Sequence, residues 1–235
     1  MVDRTEKRSY RSPRRQQQAV ATRLAILDAA QRRFEHDGYP ATTIDAIAAD
    51  AAVSTKTVYL AFATKAALLR AVWDRALKGD TDDAPVAARS WYQQLLDEPD
   101  PRSQVELLAR SSCTVKRRIG PLLRAIRSTA SVDDDSAQLW QLIQTDFHAN
   151  QRAVVHAIAE HGGLRPGIDI TTATDILWTL NHPDVWLLLT DERGWSAEDF
   201  ERWLSATIAQ QLLPDRPSNR ARATPTGHER TPRRG

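Results

Sequence analysis

Apolar residues recur every three or four positions along most of the chain, which is the spacing of an amphipathic α-helix. The first such stretch has one apolar face, formed by Val20, Leu24, Leu27, Ala30 and Phe34. Gly38 follows at a point where a helix can end. No segment shows the strict alternation of a half-buried strand, and no internal repeat is visible. The pattern therefore predicts an all-α protein.

Residues 42–65 predict two short helices joined by a tight turn. Thr42 or Thr43 can cap the first helix, and Asp45 can supply the return bond of a capping box. Ser54 can cap the second helix. This arrangement is a helix-turn-helix.

The second helix of this pair carries hydrogen-bonding and charged side chains on its outer face, namely Thr55, Lys56, Thr57 and Tyr59. Such groups can contact base edges and phosphates in a DNA groove. The alternative is a packed helical pair with no role in DNA binding. The polar outer face, the cation at Lys65 and the basic residues before the first helix favour DNA binding.

The net charge is only +2, but basic residues are concentrated at the two ends of the chain. Those before the first helix are Arg4, Lys7, Arg8, Arg11, Arg14 and Arg15. Those at the other end include Arg216, Arg220, Arg222, Arg230, Arg233 and Arg234. Basic arms fit contact with phosphates at low sequence specificity. For the C-terminal arm, a solvated disordered tail is an equally good interpretation.

The helix-turn-helix resembles the DNA-binding domain of the tetracycline-repressor (TetR) family over roughly residues 19–69. The resemblance rests on Gly38-Tyr39, Thr42-Thr43, Ile47-Ala48, Val53-Ser54, Thr57-Val58-Tyr59, Phe62 and Lys65. Two positions depart from the family pattern. Ala52 stands where the family usually has Gly, and a positive φ there would cost alanine about 1–2 kcal/mol. Lys56 stands where many members have a small residue.

We divide the chain into a basic disordered arm (1–17), a helix-turn-helix domain (18–66), a larger helical domain (67–213) and a disordered basic tail (214–235). The resemblance implies that a connecting helix joins the three-helix head to the larger domain. It also implies that the larger domain dimerises through its last two major helices and holds an effector pocket between its central helices.

All seven tryptophans lie outside the three-helix head, and tryptophan supplies a large contact area with one N–H donor. With the resemblance, the candidates for the dimer interface are Trp178, Trp186, Leu187, Trp203, Leu204 and Ile208. The candidates for the effector pocket are Trp91, Cys113, Trp140, Phe147, His148 and Trp178. The break at His182-Pro183 is interpreted either as a kink that shapes the pocket or interface, or as a simple corner between helices.

Other functional classes lack their signals. The sequence contains no Gly-rich phosphate loop, no nucleophile elbow and no HExxH. Cys113 is the only cysteine, which excludes an internal disulfide and a cysteine-based zinc site. We therefore expect no enzyme activity, no metal and no cofactor. No apolar run approaches the ~18–20 residues of a membrane span, and the N-terminus lacks a secretory signal, so we expect a cytoplasmic protein.

The sequence predicts a dimeric, sequence-specific transcriptional regulator, best described as a repressor. The expected DNA contacts are Thr43, Ser54, Thr55, Lys56, Thr57, Tyr59 and Lys65, with Arg14 and Arg15 from the arm. The partners would be a palindromic double-stranded DNA operator, a second copy of the chain and an unknown small-molecule effector that releases the operator. The alternatives are a DNA-binding regulator of the same fold without a small-molecule ligand, and a helical protein-interaction module.

Overall fold

The computed structural model describes residues 13–79 and 86–215. These residues form ten α-helices and no strand, which confirms the all-α prediction. The helices are α1 (Pro13–Asp37), α2 (Ile44–Asp50), α3 (Thr55–Phe62), α4 (Lys65–Lys78), α5 (Ser90–Asp97), α6 (Pro101–Thr129), α7 (Asp134–Glu160), α8 (Ile170–Leu180), α9 (Pro183–Leu187) and α10 (Ala197–Leu212). A 3₁₀ turn (Val86–Ala88) precedes α5, and a π-helical turn (Leu188–Glu192) follows α9. Within the described ranges, no helix combines the length and apolarity that a membrane crossing requires.

Side-chain caps begin the three short helices of the head. The hydroxyls of Thr43, Ser54 and Thr64 each accept a hydrogen bond from the backbone N–H three residues later. The N-cap is Thr43, so the return position of a capping box is Ala46 rather than the predicted Asp45. The Asp45 carboxylate accepts a hydrogen bond from the Thr55 hydroxyl at 2.6 Å. Asp45 therefore holds the start of α3 against α2.

The first helix begins earlier than the sequence predicted. We assigned residues 1–17 to a disordered arm, but α1 starts at Pro13 and residues 13–17 are helical. Proline suits the first position of a helix because the N–H that it lacks has no partner there, and the Arg and Gln residues that follow are good helix formers. Residues 1–12 of the predicted arm, and residues 216–235 of the predicted tail, lie outside the described part of the chain.

Helix α6 runs without a break through Gly120-Pro121, a pair that commonly interrupts a helix. Pro121 lies inside the helix, where it has no N–H to donate to the carbonyl of Arg117. The apolar residues around it, Ile119, Leu122, Leu123 and Ile126, are all buried in one cluster. Burial of this stripe outweighs the local cost of an internal proline, about 3 kcal/mol.

The head is not packed separately from the rest of the chain. One hydrophobic cluster contains the apolar residues of α1–α4 together with residues of α6 and α7 such as Ile119, Leu139 and Ile143. A second cluster joins α5 and the far ends of α6 and α7 to α8, α9 and α10. A change in the spacing of α6 and α7 therefore disturbs the core of the head directly.

Hydrogen bonds also join α7 to the head and α6 to α4. The hydroxyl of buried Tyr39 donates to Asp135 Oδ2 at the start of α7, at 2.6 Å. The guanidinium of Arg118 on α6 donates to the carbonyls of Ala76 and Leu77, each at 2.6 Å. Arg118 thus satisfies carbonyl groups at the end of α4, where Gly79 ends the helix with φ +81°.

Candidate functional site

Helix α3 presents three long side chains to solvent. Lys56 is exposed, and Tyr59 and Leu60 are 50% and 79% exposed. Val58 and Phe62 are buried on the opposite face. The exposed face therefore combines a cation, a phenol and an apolar side chain, which suit phosphates, base edges and the thymine methyl group respectively.

The small polar residues of α3 are occupied within the head. The Ser54 hydroxyl accepts the Thr57 N–H at 3.1 Å and shares a second hydrogen bond with the Thr57 hydroxyl at 2.8 Å. The Thr55 hydroxyl donates to Asp45. These side chains fix the turn and the start of α3, and this leaves Lys56 and Tyr59 as the predicted contacts that extend away from the protein.

Lys65 also has partners within the head. Its Nζ lies 4.2 Å from the centre of the Tyr39 ring and 3.4 Å from the Pro40 carbonyl oxygen. Desolvation lowers the pKa of Lys65, and the nearby carboxylates of Asp133 and Asp135 oppose that shift. In this position Lys65 braces the α1–α2 turn, and its contact with a phosphate stays a prediction.

The start of α1 lies beside α3. Arg15, Gln18 and Thr22 form a shallow groove with Thr57 and Leu60. Arg14 is exposed near the same end of α1.

Two further residues of this region are not among the predicted DNA contacts. Arg23 Nη1 donates to the Ala61 carbonyl at 2.8 Å, and its guanidinium lies 4.1 Å from the centre of the Phe62 ring. In the sequence, Leu60 stands out only as an apolar residue that does not belong to the buried stripe of α3.

A cavity of about 120 Å³ lies in the larger domain, between α4, α5, α6, α7 and the α8–α9 corner. Most of its wall is apolar, formed by residues such as Trp73, Leu77, Trp91, Tyr92, Leu95, Leu108, Val115, Ile119, Ile143, Phe147, Val154 and Pro183. A largely apolar space with a few convergent polar groups is the usual form of a small-molecule site.

Lys116 is the central polar residue of this cavity. The residue is 3% exposed, and its Nζ donates to Asn181 Oδ1 at 2.5 Å. The same oxygen accepts from the Ser112 hydroxyl at 2.5 Å, and Asn181 Nδ2 donates to Gln151 Oε1 at 3.0 Å. Desolvation lowers the pKa of Lys116 to about 7.

The sequence contains a signal for Lys116. Lys116 follows Cys113 by three positions and precedes Ile119 by three, so it lies on the apolar stripe of α6. A charged residue at such a position is unusual unless it has a partner or a function.

The sequence itself matches a described family over this head. Residues 26–72 match the model of the family described as "Bacterial regulatory proteins, tetR family". The chain is also 27% identical over 165 residues to YdeS of Bacillus subtilis (strain 168), which is described as an uncharacterized HTH-type transcriptional regulator. That alignment covers 67% of this chain and 74% of YdeS. Residues 26–72 are therefore similar to the DNA-binding head of the TetR family.

Solved structures show that the TetR-family fold extends over the larger domain. The structure of a SmeT–triclosan complex superposes with a TM-score of 0.66 at 17% identity, and covers 91% of this chain and 100% of that one. NalD of Pseudomonas aeruginosa, described as the secondary repressor of the MexAB-OprM multidrug efflux pump, superposes with a TM-score of 0.64 at 20% identity. The NalD match covers 85% of this chain and 99% of NalD. The predicted architecture of a helix-turn-helix head with a larger helical domain is therefore confirmed.

Two of the six predicted pocket residues line the cavity, Trp91 and Phe147. Cys113 lies outside this cavity and faces α10, with its sulfur 3.8 Å from the Ala197 carbonyl oxygen. Trp140 also lies outside it, with its ring 5.1 Å from the Arg127 guanidinium carbon.

His148 and Trp178 were also predicted to line the pocket, but they lie outside the cavity. Their rings contact each other with centres 6.3 Å apart. The spacing of apolar residues along α7 and α8 identified helices that surround the cavity. It did not identify which face of each helix lines the cavity.

The six residues predicted for the dimer interface fall into two groups, buried and partly exposed. Trp186, Leu204 and Ile208 are buried inside the protomer, so the prediction that they contact a second subunit is wrong for these three. Trp178, Leu187 and Trp203 are partly exposed. The apolar stripes of α9 and α10 pack into the core of the protomer. Only residues beside these stripes remain at its surface.

Proposed function

We propose that this TetR-family regulator binds a palindromic DNA operator as a homodimer, and that a small molecule in the cavity releases it. One observation carries the proposal: Trp73 and Leu77 of α4 form part of the cavity wall. Helix α4 begins three residues after α3 ends, so a ligand that moves α4 changes the position of the DNA-reading helix.

The proposed DNA contacts follow the surface of α3. Lys56 and Tyr59 extend into the major groove, whereas Ser54, Thr55 and Thr57 position the start of α3 and approach the backbone. Thr43, Lys65, Arg14 and Arg15 contact phosphates. Two heads related by a two-fold axis would read half-sites about one helical turn apart, ~34–36 Å.

The proposed dimer uses the outer surface of the helices that end the described chain. Trp178, Leu187 and Trp203 are partly exposed there, and the rings of Trp195 and Trp203 pack with centres 6.1 Å apart. Partly exposed tryptophans are common at protein interfaces because they bury a large area at low entropic cost. The description of NalD as a repressor supports repression, and the complex of SmeT with triclosan supports small-molecule binding.

The release mechanism relies on the shared core. Ile119 and Ile143 line the cavity and also belong to the hydrophobic cluster of the head. A ligand that separates α6 from α7 therefore repacks the head, and Arg118 transmits the shift to the end of α4. The ligand changes operator affinity only if it binds the two states of the protein differently, and the coupling is reciprocal.

Selection of binding sites from random duplex DNA tests the operator proposal. We expect enrichment of a palindrome by the purified protein at a stated salt concentration, and loss of that enrichment when Lys56 and Tyr59 are both replaced by Ala. Arg117→Met is the matched control, since it removes an exposed cation on α6 outside the head. Enrichment of no sequence by folded, dimeric protein would contradict the proposal.

The release step needs a separate measurement. A compound that binds the cavity must weaken operator binding, and operator DNA must weaken binding of the compound by the same factor. Binding of compounds without any change in operator affinity would favour a regulator of the same fold that does not respond to small molecules.

A further inference from the structure

The cavity has a cationic group that no carboxylate of the described residues neutralises. The described contacts of Lys116 Nζ are the hydrogen bond to Asn181 Oδ1 and the face of the Phe200 ring, whose centre is 5.0 Å away. Both partners are uncharged. An ammonium group buried without an anionic partner is costly, so a core selected for stability alone would have an apolar residue here.

The hydrogen-bonding groups around Lys116 hold it at the cavity wall. Asn181 Oδ1 accepts from both Lys116 and Ser112, and the amide of Asn181 is held in turn by Gln151. An ammonium has three N–H donors, and Asn181 Oδ1 is the described acceptor for one of them. The remaining donors and the positive charge are available to a molecule that enters the cavity.

The rest of the cavity wall determines which kind of molecule can bind beside the Lys116 ammonium. Trp73, Trp91, Phe147 and Leu108 surround the space with aromatic and aliphatic surface. An apolar cavity of about 150 Å³ accommodates a benzene molecule, so about 120 Å³ suits a ring or a short alkyl chain unless the wall moves. Asp146 also lines the cavity and is exposed, which places it at the solvent-facing edge rather than beside the buried ammonium.

We propose that the effector is a small apolar acid, whose anionic group pairs with Lys116 while its hydrocarbon body contacts the aromatic wall. This inference rests on the proposed effector role of the cavity and adds the chemical class of the ligand. The charge pair forms where water is largely excluded, and a charge-assisted hydrogen bond is stronger there than at the surface.

Binding of an acid should also depend on pH. The titratable groups beside Lys116 are Cys113 on α6 and His182 at the α8–α9 corner, and α10 contributes the uncharged Phe200 ring. Asp146 on α7 lines the cavity at its solvent-facing edge. Burial raises the pKa of Cys113 to about 11 and lowers the pKa of His182 below its usual range. Between about pH 6.5 and 8.5 the cysteine is therefore a neutral thiol and the histidine mostly uncharged.

Over the same range Lys116 loses its proton, because its pKa in the free protein is about 7. Only the protonated form attracts an anion. We therefore expect the affinity for acids to fall on the order of tenfold between about pH 6.5 and 8.5.

Calorimetric titration with matched pairs of compounds tests the proposal. The probes are hexanoate, octanoate, benzoate and 3-phenylpropanoate, each compared with its own primary amide, which has nearly the same shape and no charge. We expect the best acid to bind the full-length wild-type protein about tenfold or more tightly than its amide at pH 6.5. Lys116→Met should abolish this preference, and Arg117→Met, which removes the neighbouring exposed cation, should retain it.

Three outcomes would overturn the inference: no acid of the set binds, the amides bind as tightly as the acids, or Lys116→Met keeps the preference for acids. Circular dichroism shows whether the variant is folded, and the pH profile of the wild-type protein gives a readout that needs no variant. Operator affinity is measured separately. Acids that bind through Lys116 without changing operator affinity would contradict the effector role and leave the anion site intact.

Discussion

The turn between α2 and α3 contains a residue in an unfavourable conformation, and its replacement gives a stability prediction with a known sign. Ala52 has φ 53°, as its position at a usual glycine of the family suggested. The Val53 N–H donates to the Ala48 carbonyl at 3.0 Å and the Ala52 N–H to the Ala49 carbonyl at 3.1 Å. This is a Schellman motif, in which the left-handed position is most often glycine.

We expect Ala52→Gly to stabilise the protein. The left-handed conformation costs an alanine about 1–2 kcal/mol, whereas glycine adds about 0.4–1 kcal/mol of conformational freedom to the unfolded chain. Ala52 is exposed, so loss of its methyl group removes no core contact. The net gain is about 0.5–1 kcal/mol, equivalent to a rise in Tm of about 1–4 °C for a chain of this size.

Urea and thermal unfolding at one fixed protein concentration measure the effect, because dimerisation would make Tm depend on concentration. Ala49→Gly is the matched control: Ala49 is exposed at the end of the same helix in ordinary helical conformation, where glycine should destabilise by about 0.5–1 kcal/mol. If Ala52→Gly is neutral or destabilising, or if both variants change stability in the same direction, the argument from positive φ is wrong.

Three further predictions concern the head, its junction with the larger domain and the cavity. Lys56→Ala should change the preferred sequence in a binding-site selection, whereas Lys65→Ala should weaken binding to all sequences similarly; identical binding profiles would contradict these separate roles. Tyr39→Phe removes a hydrogen bond to the exposed carboxylate of Asp135 and should lower the free energy of unfolding by about 1 kcal/mol, measured in urea; an unchanged midpoint would show that this bond adds nothing. Lys116 has a pKa of about 7 when folded, so it binds fewer protons in the folded than in the unfolded state above that pH. Between about pH 7 and 8.5, the free energy of unfolding of the wild-type protein should therefore rise relative to that of Lys116→Met, by up to about 1.4 kcal/mol per pH unit. If the free energies of unfolding of the two proteins change in parallel with pH, Lys116 is not a buried charge.

The sequence by itself determined the features that depend on neighbours in the chain. Thr43, Ser54 and Thr64 cap helices because a hydroxyl reaches the N–H three residues later in any such turn. The spacing of Val58 and Phe62 fixed which face of α3 is buried, and so which face is free to meet DNA. The positive φ of Ala52 agrees with the resemblance to the TetR family, which usually has glycine at that position.

Only the tertiary structure decided what depends on packing between distant helices. Pro121 did not interrupt α6, because the apolar stripe on both sides of it is buried in one cluster. Lys116 meets Asn181 across 65 residues of sequence, and no local pattern contains that pairing. Periodicity places a side chain on a helix face, but the neighbouring helices decide whether that face meets a core, a cavity or solvent. For this reason four predicted pocket residues lie outside the cavity, and the buried lysine in its wall had to be found in the folded chain.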